Sequence, residues 1–274
     1  MGILNITPDS FSGDGLLSEG RQQEDIQAQA RRFVASGVDM LDVGGESTRP
    51  GSQPVSAQEE LERVIPVVKW LVAAFPQTLV SIDTYKAGVA EQALMAGACI
   101  VNDIWGLRAD PELAQVAAKH QSPVILMHNR SQPSNAQVTA NLGGRYIGMQ
   151  YDNLLEDVKR ELLESVALAQ AAGVPEEHII LDPGIGFGKT VEQNLELLDR
   201  LDEIRELGFP VLLGPSRKSF IGYTLDLPMD QRMEGTAAAV AVGITRQADI
   251  VRVHDVETMM RVVRMTDAIV RRGS

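Results

Sequence analysis

The chain has 274 residues, 44% hydrophobic and 23% charged, the proportions of a folded globular protein and not of a disordered one. Its formal net charge of −12, from 25 Lys and Arg against 37 Asp and Glu, opposes polyanionic partners, so neither nucleic acid nor an anionic membrane surface is expected to bind it. Cys99 is the only cysteine, which excludes an internal disulfide and a cysteine-ligated metal.

Cys99 lies in the apolar run ACIVN and reads as a small core residue. No segment approaches the roughly 20 apolar residues of a membrane span, and the start lacks a basic region followed by an apolar stretch, so a cytoplasmic location is expected.

Eight short runs rich in Val, Ile and Leu follow one another: GILNI (2–6), VDMLDV (38–43), TLVSID (78–83), ACIVND (98–103), PVILMH (123–128), HIILD (178–182), PVLLG (210–214) and DIVRVH (249–254). Most are continuously apolar, as parallel strands buried on both faces are. Between them lie segments with helical spacing, among them AQEELERVIPVVKWLVAAF, KAGVAEQALMAG and VETMMRVVRMTDAIVRR, each long enough to carry the chain back for another parallel strand. Gly37, Gly97, Gly173 and Gly208 stand where helix C-terminal caps are needed.

Eight alternations of strand and helix predict an α/β fold, a single-domain (β/α)8 TIM barrel over residues 1–274. An open doubly wound sheet is the rival. It is disfavoured because no G-x-G-x-x-G follows the first strand and because polar residues end nearly every strand instead of clustering at one switch point.

A barrel places its site at the C-terminal ends of the strands. Those ends read Asn5, Asp42 with Glu46, Asp83, Asn102 with Asp103, His128, Asp182, the 214–219 turn, and Arg252 with His254. One Asp at such an end can be a helix N-cap, but Asn5, Asp83, Asn102 and Asp182 on separate strands offer the donors and acceptors needed to grip a heterocycle edge. Without H-x-H or H-E-x-x-H, a transition-metal site is weak, and a hydrated Mg2+ bridging a phosphate-bearing substrate fits better.

Basic residues stand out in ESTRPGS (Arg49), GPSRKSF (Arg217, Lys218) and VRVHD (Arg252, His254). Arg252 and His254 alternate in an apolar strand, so they share a face and need a partner, which a phosphate or pyrophosphate would supply in preference to a structural salt bridge. DVGGEST (42–48) and DPGIGFGKT (182–190) let the backbone approach a ligand closely. The connection from His128 to Tyr151 lacks periodicity and reads either as a mobile loop beside the site or as an inert insertion.

MGILNITPDSF, DVGGESTRPG, VNDI, MHNR, LDPGIGFGK, SRKSFIG and RVHDV occur together and in order, and from Met1 to about Arg271 the chain resembles the dihydropteroate synthase family. The resemblance implies a folate-synthesis transferase that joins para-aminobenzoate to 6-hydroxymethyl-7,8-dihydropterin pyrophosphate, giving 7,8-dihydropteroate and pyrophosphate. It implies that Asp83, Asn102, Asp182, Lys218 and Arg252 meet the pterin, and that Asn5, Arg252 and His254 hold the pyrophosphate. Asn5 is also the implied Mg2+ contact, and Thr48 belongs to a loop that closes over the substrate.

By the same matching, Lys218, Asp83, Asp182, Arg252 and His254 carry catalysis, and Phe11, Pro50 and Ser219 line the pocket where sulfonamides compete with para-aminobenzoate. A homodimer through outer helices is also implied. FSGDG stands where members have FSDGG, the loop after His128 is longer, and the chain starts inside a strand that members precede with a hairpin. The barrel floor is therefore left to other segments or to residues ahead of Met1. A pterin-binding methyltransferase acting on methyltetrahydrofolate and a non-catalytic pterin-binding paralogue are the alternative readings, and the anion-binding SRKSF and RVHD sequences disfavour the first.

Overall fold

A computed structural model describes residues 1–6, 19–47, 54–139 and 141–271. Six parallel strands pair in the order β1 (Gly2–Asn5), β2 (Met40–Gly44), β3 (Leu79–Asp83), β4 (Ile100–Asp103), β5 (Val124–Met127) and β8 (Ile179–Asp182). Two more, β9 (Leu212–Leu213) and β10 (Ile250–Val251), pair with each other. Parallel bridges between Leu181 and Val211 and between Gly2 and Val253 join the two sets. The Ile3 N–H donates to the Val253 carbonyl at 3.1 Å and the Leu181 N–H to the Pro210 carbonyl at 2.9 Å, so the sheet closes on itself as a barrel instead of ending in open edges.

All eight expected runs contribute strands, although the last two are only two residues long. Pro210 has no N–H to give, the Val211 N–H goes to the Asp249 carboxylate at 2.8 Å, and Gly214–Pro215 ends β9. The outer layer is built from α1 (Glu19–Ala35), α2 (Ala57–Ala74), α3 (Ala87–Met95), α4 (Leu113–Lys119), α5 (Leu154–Ala171), α6 (Val191–Asp199), α7 (Leu201–Arg205), α8 (Ser219–Leu225), α9 (Met233–Thr245) and α10 (Val256–Val270). Ser56 and Asn153 cap α2 and α5, and Thr190 forms a reciprocal capping box with Gln193 on α6. The four glycines expected after helices all have positive φ, between 87° and 108°.

Among the described residues no helix is long and apolar enough to cross a membrane. The His128–Tyr151 connection differs from the structureless loop read from the sequence. It forms an antiparallel hairpin, β6 (Ala136–Thr139) with β7 (Gly143–Tyr146), tied to α8 by the Tyr223 hydroxyl donating to Thr139 Oγ1 at 2.9 Å. Its strands are four residues long and only Tyr146 is buried, so no apolar period betrays them.

One large apolar core fills the space between strands and helices, and a second cluster lies inside the barrel. Met1, Ile100, Ile125 and Leu212, packed with Met40, Ile180 and Ile250, make that inner floor. Side chains alternate across a strand, so two residues further along the same inward face the floor residues Met40, Ile100, Ile180 and Ile250 give way to Asp42, Asn102, Asp182 and Arg252. One wall is thus apolar at its base and polar at its mouth.

Leu126 on β5 is fully buried between strands and helices. Leu126→Ala is expected to lower unfolding free energy by about 2–5 kcal/mol in urea denaturation, since the close-packed wall cannot collapse into the space. A loss below about 1 kcal/mol would show a wall more compliant than this packing implies.

Candidate active site at the barrel mouth

The strand registers set the first row of the site. Asn5 pairs with Gly44, Gly44 with Asp83, and Asp83 with Asn102, so the ends of four successive strands lie level. Asp182 is paired with Met127, one pleat above the row in which Asn102 meets Ile125 and Ile125 meets Ile180.

Arg252 follows β10 and reaches past β1. Its Nε donates to Asp42 Oδ2 and its Nη2 to Asp83 Oδ2, both at 2.6 Å. Asp42 is fully buried, and the same Oδ2 also accepts from Asn102 Nδ2 at 3.1 Å. That bond turns the Asn102 amide so that its oxygen and second N–H remain for a ligand. Asp42 Oδ1 has no hydrogen-bond partner among the described residues. Burial works against the Arg252 charge, but Asp42 and Asp83 more than offset it and hold the guanidinium protonated. The partner foreseen for Arg252 was a phosphate, and the structure supplies these two carboxylates.

Burial raises the Asp83 carboxyl above the ordinary range, and Arg252 pulls it partly back. Asp182 is raised by burial too, opposed first by Lys218 and then by the Gly184 N–H, which donates to Asp182 Oδ1 at 2.7 Å. Lys218 stands opposite. Burial lowers its ammonium to about 8 against the pull of Asp182, its Nζ donates to the Ile185 carbonyl, and it lies 4.2 Å above the Phe187 ring. Asp42, Asp83 and Asp182 thus share the mouth with Arg252 and Lys218, and the opposite charges partly offset the cost of burying Asp83, Asp182 and Lys218.

The turn after β8 is pressed against β5. A Cβ on Gly184, whose φ is 70°, would stand 1.8 Å from the His128 carbonyl oxygen, so only glycine lets the two backbones meet. His254 accepts a different anchor: its backbone N–H donates to Ser216 Oγ at 3.1 Å, and its ring Nδ1 lies 3.0 Å from the same oxygen. Ser219 begins α8 directly after Lys218 and is partly exposed.

Asp83, Asn102, Asp182, Lys218 and Arg252 are thus brought together as expected, with Asn5 at the end of the neighbouring strand and His254 beside them on the turn from β10. Phe11, Thr48 and Pro50 lie outside the described residues, as does Arg49. Arg217 has a φ of 57° and its guanidinium forks onto Asp255, Nε to Oδ2 at 2.8 Å. Asp42 and Ser216 were given no role from sequence. Asp42 was read among the strand ends without a task of its own, whereas nothing local marks Ser216.

Outside the wall, His128 is fully buried and its Nε2 lies 3.1 Å from Glu161 Oε2. Burial, then the Lys189 ammonium, lower its ring from 6.5 to about 3. The unfolded chain takes up a proton below pH 6.5 that the folded protein refuses, so stability falls with pH by about 1.4 kcal/mol per unit until the folded ring titrates. Burial would raise Glu161, but hydrogen bonds from His128 and Arg130 hold it below its ordinary 4.5, and its own loss begins only below that pH. Between pH 6.5 and 4.5, wild type is therefore expected to lose stability relative to His128→Gln in urea unfolding. A constant gap across that window would contradict a neutral buried His128.

Comparison with known proteins agrees with this arrangement. The family model for pterin binding enzymes matches residues 1–254. The dihydropteroate synthase of Clostridium beijerinckii is 50% identical over 274 residues, covering 99% of this chain and 94% of that protein. Among solved structures, dihydropteroate synthase from Clostridium difficile in the presence of pteroic acid matches with a TM-score of 0.89 at 46% identity, over 99% of this chain and 96% of that one. The Xanthomonas albilineans enzyme with 4-aminobenzoic acid matches with a TM-score of 0.86 at 39% identity, over 98% and 91% of the two chains. With sequence, barrel and mouth in agreement, the chain belongs to the pterin binding enzyme family.

Proposed function

We propose that the barrel mouth binds 6-hydroxymethyl-7,8-dihydropterin pyrophosphate and para-aminobenzoate and joins them as a dihydropteroate synthase, a cytoplasmic transferase of folate synthesis. The observation that carries this reading is the meeting of Asp83, Asn102, Asp182, Lys218 and Arg252 at one strand-end cavity. The donor and acceptor sequence of a pterin edge matches Asn102 with the two carboxylates, and Lys218 suits its carbonyl side.

Arg252 spends Nε and Nη2 on Asp42 and Asp83. Among the described residues its Nη1 remains for the pyrophosphate or the ring face, with His254 and Asn5 completing the anion site. Asn5 is a single hard oxygen donor at the end of β1, and the described residues hold no group of three His, Cys, Asp or Glu that could cage an ion. This donor set suits a Mg2+ that enters with the pyrophosphate and touches one protein oxygen. Such an ion, when bound, neutralises charge on the departing pyrophosphate.

The C–O bond to pyrophosphate breaks first, and the aminobenzoate amine then attacks the pterin methylene carbon, forming the C–N bond and losing one proton to solvent. Arg252 and His254 meet the leaving negative charge, while Asp83 and Asp182 face the positive charge left on the pterin. No nucleophilic side chain is required. Ser219 is the described residue assigned to the aminobenzoate pocket that sulfonamides enter; Phe11, Pro50 and Thr48, assigned to the same end of the site, lie outside the described residues. A homodimer through outer helices is part of the same proposal.

Purified protein is expected to release pyrophosphate over many turnovers only with both substrates and Mg2+ present, with one dihydropteroate formed per pyrophosphate. Pyrophosphate release without dihydropteroate would overturn the reading. Lys218→Ala removes a charged donor from a buried acceptor set, so kcat/KM for the pterin substrate should fall about 10- to 100-fold. Ser219→Ala should raise KM for para-aminobenzoate while leaving pterin affinity near wild type, as steady-state kinetics with each substrate varied would show.

A further inference from the structure

Lys189 closes the turn that follows β8, and its side chain runs between the barrel wall and α5, with 2% of the residue exposed. All three ammonium hydrogens have acceptors: His128 Nδ1 at 2.9 Å, the Gly184 carbonyl at 3.0 Å and the Phe187 carbonyl at 3.1 Å. Among the described residues no carboxylate touches it. A buried cation satisfied this way is costly where a methionine would fill the same volume, so its retention calls for a role beyond packing.

The bonds around Lys189 leave little freedom. With Nδ1 accepting from the ammonium, the neutral His128 ring carries its proton on Nε2 and donates it to Glu161 Oε2 at 3.1 Å. Arg130 forks onto the same carboxylate, its Nε 2.9 Å from Oε1, and its guanidinium lies 4.2 Å above the Tyr151 ring. The Tyr151 hydroxyl then donates to the Gly188 carbonyl at 2.9 Å, returning to the turn from which Lys189 started. The turn is therefore held at Gly184, Phe187 and Gly188.

Two groups of the proposed site hang from that turn. The Gly184 N–H fixes the Asp182 carboxylate, and the Ile185 carbonyl receives the Lys218 ammonium. A Cβ on Gly186 would stand 2.7 Å from the Lys218 Cδ, so the turn also sets the path of that side chain. Lys189 lies behind Asp182 and helps to keep it ionised, together with Lys218 and Arg252.

We propose that Lys189, oriented by His128 and Glu161, is a positioning residue for pterin recognition: it holds the 183–188 turn in the shape that presents Asp182 and Lys218 to the pterin. The proposal rests on the functional reading given above. Lys189→Met keeps the volume and removes the three donors. Its kinetics with each substrate and its affinity for 6-hydroxymethylpterin by calorimetry are compared with wild type, with thermal unfolding as the check on folding.

The expected result is a loss of about tenfold or more in kcat/KM for the pterin pyrophosphate and a parallel loss in pterin affinity, with KM for para-aminobenzoate within about twofold of wild type. Unchanged pterin kinetics and affinity, or equal losses on both substrates, would overturn the proposal. If Lys189→Met does not fold, Glu161→Gln decides, because it keeps an acceptor for His128 and removes the charge. A selective pterin loss of about threefold or more then supports the proposal, and none overturns it. Wild type that binds pterin without turnover refutes the synthase reading alone, with the calorimetric comparison still deciding on Lys189. Wild type that binds no pterin overturns both.

Discussion

Arg252, Asp42 and Asp83 form the interaction on which the mouth of the barrel depends. Asp42 is fully buried and Arg252 partly so, and removing the arginine would leave a buried carboxylate unpaired, a change that typically costs about 3–5 kcal/mol. Paired at 2.6 Å, they allow an inward face that is apolar at Met40 and Ile250 to become ionic two residues later. The pair also spans β10 to β2 and β3, across the seam where the two-residue strands make the barrel wall thinnest. Closure of the fold and construction of the site are in this sense one event.

The wall separates two polar systems by the parity of its strands. Asn102 and Asp182 point inward to the cavity. Asp103, next to Asn102 in sequence, and His128, whose backbone N–H donates to the Asp182 carbonyl, point outward: Asp103 accepts the N–H groups of Trp105 and Leu107, and His128 meets Glu161 and Lys189. The β8 turn joins the two systems, since its Gly184 serves Asp182 through its N–H and Lys189 through its carbonyl. Glycine is required there because backbone packs on backbone.

Much of this was legible beforehand. Continuous apolar runs separated by helical spacing can hardly be anything but buried parallel strands with crossovers, and the glycines after the helices have the left-handed φ that their positions imply. The site residues Asp83, Asn102, Asp182 and Arg252 were visible because charge and carboxamide at the ends of apolar runs have few innocent explanations. The β6–β7 hairpin was not, because its short, exposed strands carry no period and its anchor, Tyr223, is far away in sequence. Arg252 looked like a cation in search of an anion, and only the barrel's curvature brings Asp42 and Asp83 within reach of it.

By itself the sequence determined the barrel, the strand ends that carry chemistry and, through its ordered motifs, the family, since each depends on residue type and spacing along one strand or turn. Tertiary structure decided who pairs with whom. It diverted Arg217 to Asp255, gave Arg252 its two carboxylates, bound His254 to Ser216 and set Lys189 behind Asp182. These outcomes depend on distances between strands and turns remote in sequence, which are fixed only when the sheet closes and its register is set.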